Sequence, residues 1–172
     1  LKSSARLYSS YRLRRVYYSA FSPIPDASRA LPLIKPPLMR EHRLYQADWL
    51  YRFYGFSVDE ISSIGQGGML DLELDPKLAW ALANRDRFPV DVNKADRETL
   101  LRVPGFGTKT VRGLLSARRH RRVRREDLAR LGVSLKKVRS FIVAEGWSPN
   151  RSLDRSDLRS VFAPPAEQLS LF

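Results

Sequence analysis

Leu100-Leu101-Arg102-Val103-Pro104-Gly105-Phe106-Gly107-Thr108-Lys109-Thr110-Val111 is the stretch that organises the chain. Two helical patterns meet in it at a Pro-Gly-x-Gly turn. Asp96 is placed to cap the first helix, and Leu100, Leu101 and Val103 recur at helical spacing. Pro104 stops that helix, because it lacks an N–H and restrains the residue before it. Gly105 and Gly107 are expected to take the positive φ of a tight reversal. Thr108 restarts a helix with Val111, Leu114 and Leu115 on one side. In such a turn the N–H groups of Gly105, Gly107 and the next helix's first turn converge on one point. With the positive helix end and Lys109 beside them, they form an anion site.

The full pattern, from Leu100 through Lys109 to Leu115, resembles a helix-hairpin-helix motif. That family grips the sugar-phosphate backbone of DNA without reading bases. The resemblance implies DNA contacts at Val103, Pro104, Gly105, Phe106, Gly107, Thr108 and Lys109. Arg102, Arg112 and the run containing Arg118, Arg119, Arg121 and Arg122 would add affinity by counterion release. An ordinary αα-hairpin built with Pro and Gly is the alternative, and a solvated helix face is the alternative for the arginine run.

Composition agrees with an acidic partner. The 172 residues carry a net charge of +13 and a pI near 10.6, which favours nucleic acid first and membrane headgroups second. From Arg102 to Arg125 there are nine Lys or Arg and no Asp or Glu. There is no cysteine, so disulfides, thiolate metal sites and iron–sulfur ligation are excluded within this chain. No apolar run is long enough to span a membrane, and residues 1–15 lack a signal-peptide layout. The expectation is a cytoplasmic, nucleoid-associated protein, and Leu1 in place of Met suggests a fragment of a longer one.

Residues 1–35 are basic and then proline-rich. Residues 14–21, Arg-Arg-Val-Tyr-Tyr-Ser-Ala-Phe, have the content of a strand whose mates would lie upstream. Helical spacing begins after Pro37 with Leu38, Tyr45, Trp49, Leu50, Phe53 and Tyr54, and Gly55 is the stop. Ser57 and Glu60 read as a capping box, and Asp75-Pro76 opens a helix carrying Leu78, Trp80 and Leu82. Residues 127–142 repeat the hairpin plan in weakened form around Gly132 and without the second glycine. This copy is expected to complete the fold more than to bind phosphate.

Asp71, Glu73 and Asp75 alternate with leucines and would share one face of a strand, a weak Mg²⁺ candidate against the plainer reading of a solvated segment. His42 and His120 stand alone, so no metal site is assigned. From residue 148 the composition reads as a mobile tail. It ends in Gln168-Leu169-Ser170-Leu171-Phe172, which resembles the peptide by which bacterial polymerases and repair proteins dock on the replicative sliding clamp. A Gln amide would fix register while Leu171 and Phe172 fill an apolar cleft. The alternative is a tail folded back on its own core.

Taken in order, LRRVYYSAFSPIP, PPLMREHRLYQADWLYRFYGF, LDPKLAWAL and FPVDVNKADRETLLRVPGFGTKTV resemble the C-terminal half of the DNA modification/repair radical S-adenosylmethionine proteins. The resemblance implies a missing catalytic half with a [4Fe–4S] cluster and S-adenosylmethionine, none of whose cysteines has a counterpart here. The expected fold is mainly α: a tandem helix-hairpin-helix domain preceded by a helical region and one residual strand of a truncated α/β barrel. The expected segments are 1–35, the end of the catalytic domain; 36–89, a helical connection; 90–147, the DNA-binding domain; and 148–172, the tail. Such a chain would have no cofactor of its own and would target the catalytic half to DNA. A stand-alone repair or recombination adaptor is one alternative; a charge-driven RNA or ribosome binder is another.

Overall fold

The computed structural model describes residues 1–24, 28, 30, 34–149, 153 and 157–163. The chain is mainly helical and divides into two compact units, Leu1–Pro76 and Lys77–Phe172.

The first unit holds α1 (Lys2–Tyr11), α2 (Leu38–Tyr54) and α3 (Val58–Ser62). Gly55 ends α2 in the left-handed region at φ 72°, where a β-carbon is disfavoured. The Ser57 hydroxyl accepts from Glu60 N at 3.0 Å and the Glu60 carboxylate accepts from Ser57 N at 2.8 Å, closing the capping box. The strand expected at 14–21 does not form. Its backbone is satisfied by helix side chains instead of a neighbouring strand. Val16 N donates to the Tyr8 hydroxyl at 3.0 Å, and the Arg14 carbonyl accepts from Arg52 at 2.6 Å. The Tyr45 hydroxyl accepts from Tyr18 N at 3.0 Å and donates to Tyr18 O at 3.1 Å.

The same tyrosines surround Asp48, which is 3% exposed. Its carboxylate accepts from Tyr8 at 2.8 Å and Tyr18 at 3.4 Å, with Arg52 at 3.4 Å. Burial raises the Tyr8 hydroxyl above its ordinary value and pushes Tyr18 up to about 12. Residues 1–15, for which the sequence reading names no helix, supply α1 to this cluster.

The second unit begins with α4 (Pro76–Ala83), so this helix groups with the hairpins and not with the preceding region. Then follow β1 (Val90–Asp91), α5 (Arg97–Arg102), α6 (Thr108–Ala117), α7 (Arg125–Arg130), α8 (Leu135–Val138), β2 (Ile142–Val143) and α9 (Leu158–Phe162). The strands β1 and β2 pair in parallel, Val90 with Ile142 and Asp91 with Val143. Asn93 extends this ladder with its side chain: Oδ1 accepts from Val123 N at 2.7 Å, and Nδ2 donates to Val123 O at 3.1 Å. Val123 is otherwise tied through its carbonyl to Glu145 N at 3.1 Å.

Leu100, Leu114, Leu128, Val138, Phe141 and Ile142 are fully buried and form the core around this ladder. Aromatic pairs extend it, edge-on from Trp80 to Phe88 and from Phe88 to Phe141 and tilted from Phe141 to Phe162. Leu158 of α9 is 2% exposed, so the expectation of a mobile chain from residue 148 onward fails at this short helix. An apolar side chain so placed contributes about 1.5–3 kcal/mol toward holding this five-residue helix against the core.

Two outcomes follow from these contacts. Asn93→Ala strands the Val123 N–H inside the unit and should cost about 1–3 kcal/mol in urea unfolding. Tyr18 keeps its proton longer folded than unfolded, so its stabilisation is complete below pH 10 and is lost as the pH rises toward 12. Tyrosinate absorbance followed together with circular dichroism should show the first unit loosening in that window, and Tyr18→Phe should lessen the effect.

Candidate functional site

The site is built on the turn between α5 and α6. Asp96 caps α5, accepting from Thr99 N at 2.7 Å, and this backbone bond holds its carboxyl below the usual range. Leu100, Leu101 and Val103 anchor the helix inward. Phe106 N returns to Val103 O at 3.1 Å and closes the turn. Gly105 sits at φ 86°, and a β-carbon there would meet Val138 Cγ1 at 3.0 Å, so this position needs glycine twice over. Gly107 differs from expectation: its φ is −92°, in extended backbone open to any residue. What glycine does at this N-cap is to supply no capping oxygen.

The first turn of α6 is consequently open. No side chain caps it, its first turn holds no acid, and Val111 N is the first amide bonded back, to Gly107 O at 2.9 Å. The N–H groups of Thr108, Lys109 and Thr110 are the orphan donors of the helix start. In α5 and α7 a carboxylate serves those ends instead: Asp96 does so in one, and in the other Asp127 accepts from Arg124 N at 3.0 Å.

Beside the open end lies a shallow groove of about 570 Å³ lined by Arg97, Thr108, Lys109, Arg112, Leu115, Ser116 and Arg119. Four cations and two hydroxyls line it, with no carboxylate among them. Lys109, Arg112 and Arg119 were legible in the sequence; Arg97 was not. Its signal is a cation in the first turn of α5, where the helix dipole disfavours positive charge.

The other named residues are placed elsewhere. Val103, Pro104 and Phe106 are buried, so they shape the turn and do not line the groove. The Arg102 guanidinium stacks 5.7 Å from the Trp80 ring centroid. Arg118 donates to Ala95 O at 2.6 Å, stitching the end of α6 to the loop before α5. Arg121 pairs with Asp127 at 2.6 Å and Arg122 with Glu145 at 3.3 Å. Three of the four arginines named in the run thus have partners within the unit, although Arg121 and Arg122 remain more than half exposed.

The weakened copy forms the α7–α8 pair. Gly132, at φ 76°, ends α7 with Gly132 N on Ala129 O at 2.9 Å and Val133 N on Leu128 O at 3.1 Å. A β-carbon on Gly113 of α6 would lie 2.8 Å from Leu131 Cδ2, so the two helix pairs approach closely at a glycine that sequence reading passed over.

The acidic triplet is not a strand. Asp71 Oδ1 accepts from Glu73 N at 2.9 Å and Leu74 N at 3.1 Å, which folds it into a turn. Among the described residues no group of three or more His, Cys, Asp or Glu is placed to hold a metal ion, and no helix is long and apolar enough to cross a membrane. The iron–sulfur cluster of the resemblance finds no thiolate in this chain, and no chemistry is assigned through it. Gln168, Leu169, Ser170, Leu171 and Phe172 lie outside the described residues. Comparison with family models, with curated proteins and with solved structures finds no match.

The carboxylate caps make this site acid-sensitive. The Arg124 N–H and then the Arg121 guanidinium hold Asp127 below its ordinary value. Its contribution is present above pH about 4 and is lost as the pH falls below the unfolded value. Thermal melts of the chain should therefore drop on acidification through that range, and Asp127→Asn should flatten this limb.

Proposed function

We infer that the second unit is a helix-hairpin-helix module that binds DNA through the sugar-phosphate backbone, without regard to sequence. The observation that carries this is the acid-free groove in which Arg97, Lys109, Arg112 and Arg119 flank the uncapped start of α6. Amide donors and a helix end complement a phosphate, and the four cations add the salt-dependent part of the affinity. Phosphate contacts of this kind fix position and carry no base information. The second helix pair braces the first.

On this reading the chain brings a radical S-adenosylmethionine catalytic half to DNA, as the order of its segments suggests. The terminal Gln168 to Phe172 peptide would add a second tether at the sliding clamp. Both extensions rest on sequence resemblance.

The charge-reversed pair Lys109→Glu and Arg112→Glu tests the module. Both side chains are exposed, so folding should persist. In anisotropy titrations of the full chain, duplexes of unrelated sequence should lose affinity alike, by at least about tenfold, and the slope of log K against log salt should fall by about two. Unchanged affinity and slope would overturn the proposal. Structured RNA competing as well as duplex would replace it with charge-driven RNA binding.

A further inference from the structure

Lys77 is a buried lysine in the second unit. It stands in the first turn of α4, 7% exposed, with Leu78, Trp80 and Ala81 buried around it on the same helix. Burying an ammonium is costly unless it is well bonded. Its Nζ donates to the carbonyl of Phe106 at 2.6 Å, twenty-nine residues along the chain. That carbonyl lies in the middle of the Pro-Gly-Phe-Gly turn.

The Phe106 carbonyl and the Gly107 N–H are two ends of one peptide group. Among the described residues the only cis bond is Phe88–Pro89, so this peptide is trans and its C=O and N–H point in opposite directions. A cation that holds the oxygen inward therefore holds the N–H outward. It also draws electron density toward the oxygen, which strengthens the N–H as a donor. The Gly107 N–H has no acceptor among the described hydrogen bonds, and it immediately precedes the open amides of Thr108, Lys109 and Thr110.

We propose that Lys77 is a positioning residue for phosphate binding: from inside the fold it orients and polarises the Phe106–Gly107 peptide so that the Gly107 amide donates to a phosphodiester oxygen. This rests on reading the turn as a backbone-phosphate site and adds a charge that acts on the ligand without reaching it. A lysine in direct contact with phosphate would add about one unit to the salt slope, whereas one acting through a neutral amide leaves the slope alone.

The experiment uses the full chain, a mixed-sequence DNA duplex, and proton–nitrogen correlation spectra. In the wild type the Gly107 amide proton should move downfield as duplex is added. Lys77→Met should move that proton upfield in the free protein and weaken duplex binding about tenfold, with the salt slope unchanged. Should Lys77→Met fail to fold, the wild-type titration decides alone. A Gly107 amide that stays still while duplex binds overturns the inference. So does a folded Lys77→Met chain with wild-type affinity. In either case loss of binding on reversing Lys109 and Arg112 would leave the DNA-binding reading standing, whereas no loss there would remove that reading itself.

Discussion

Two short strands that are far apart in sequence close the second unit, and by themselves they exchange few backbone bonds. Val90 N reaches Phe141 O at 2.8 Å and Val92 N reaches Val143 O at 3.0 Å at the two ends of a ladder that pairs only two residues on each side. Asn93 carries it further by presenting an amide side chain to Val123 as a strand would present a peptide. Everything between residues 93 and 123, meaning α5, the turn and α6, is thereby a loop whose two ends are clamped together. The tight turn at Gly105 thus sits on a frame that is fixed at the base. Arg118, bonded to Ala95 O, adds a second tie within the same loop.

The first unit solves a similar problem by other means. A segment with the side chains of a strand needs partners for its N–H and C=O groups, and any partner with suitable geometry will do. Here tyrosine hydroxyls and one guanidinium take that part. The β propensity of Val16, Tyr17 and Tyr18 describes extended backbone well enough but does not specify a sheet. The three groups that converge on Asp48 keep its buried carboxylate bonded, and α1 and α2 are joined through Tyr8 and Asp48 in consequence.

This contrast marks what was legible in the sequence. Local devices were: the Ser57–Glu60 box, the stop at Gly55, the Asp96 cap and the reversal at Gly105 depend on neighbours within a few positions. Contacts between distant residues were not. Nothing around Lys77 says that its ammonium reaches Phe106, nothing around Arg118 says that it serves Ala95, and Gly113 looks like an indifferent helix residue until Leu131 is set against it. The arginine run shows the same limit. Its charge density was plain, but Asp127 and Glu145, which take up Arg121 and Arg122, stand outside the window in which the run was counted. Gly107 misled in a different way, since a glycine was assumed to be chosen for positive φ when its effect is the missing cap.

Two residues that sit poorly by local rules are among those the groove collects. Arg97 and Lys109 each place a cation in the first turn of a helix, against the dipole, at a cost of about 0.3–1 kcal/mol apiece. Glu98 and the Asp96 cap offset this for α5, but α6 has neither acid nor capping side chain. Such a helix start is less stable in the free protein than a serine cap and a glutamate would make it. An anion at that point reverses the sign of every term at once, because it pairs the cations, accepts from the amides and sits at the favourable end of the dipole. On the proposed reading, the weak start of α6 and phosphate binding in the groove are one electrostatic arrangement seen without and with its ligand, and a variant that stabilised the helix by capping it would weaken the site.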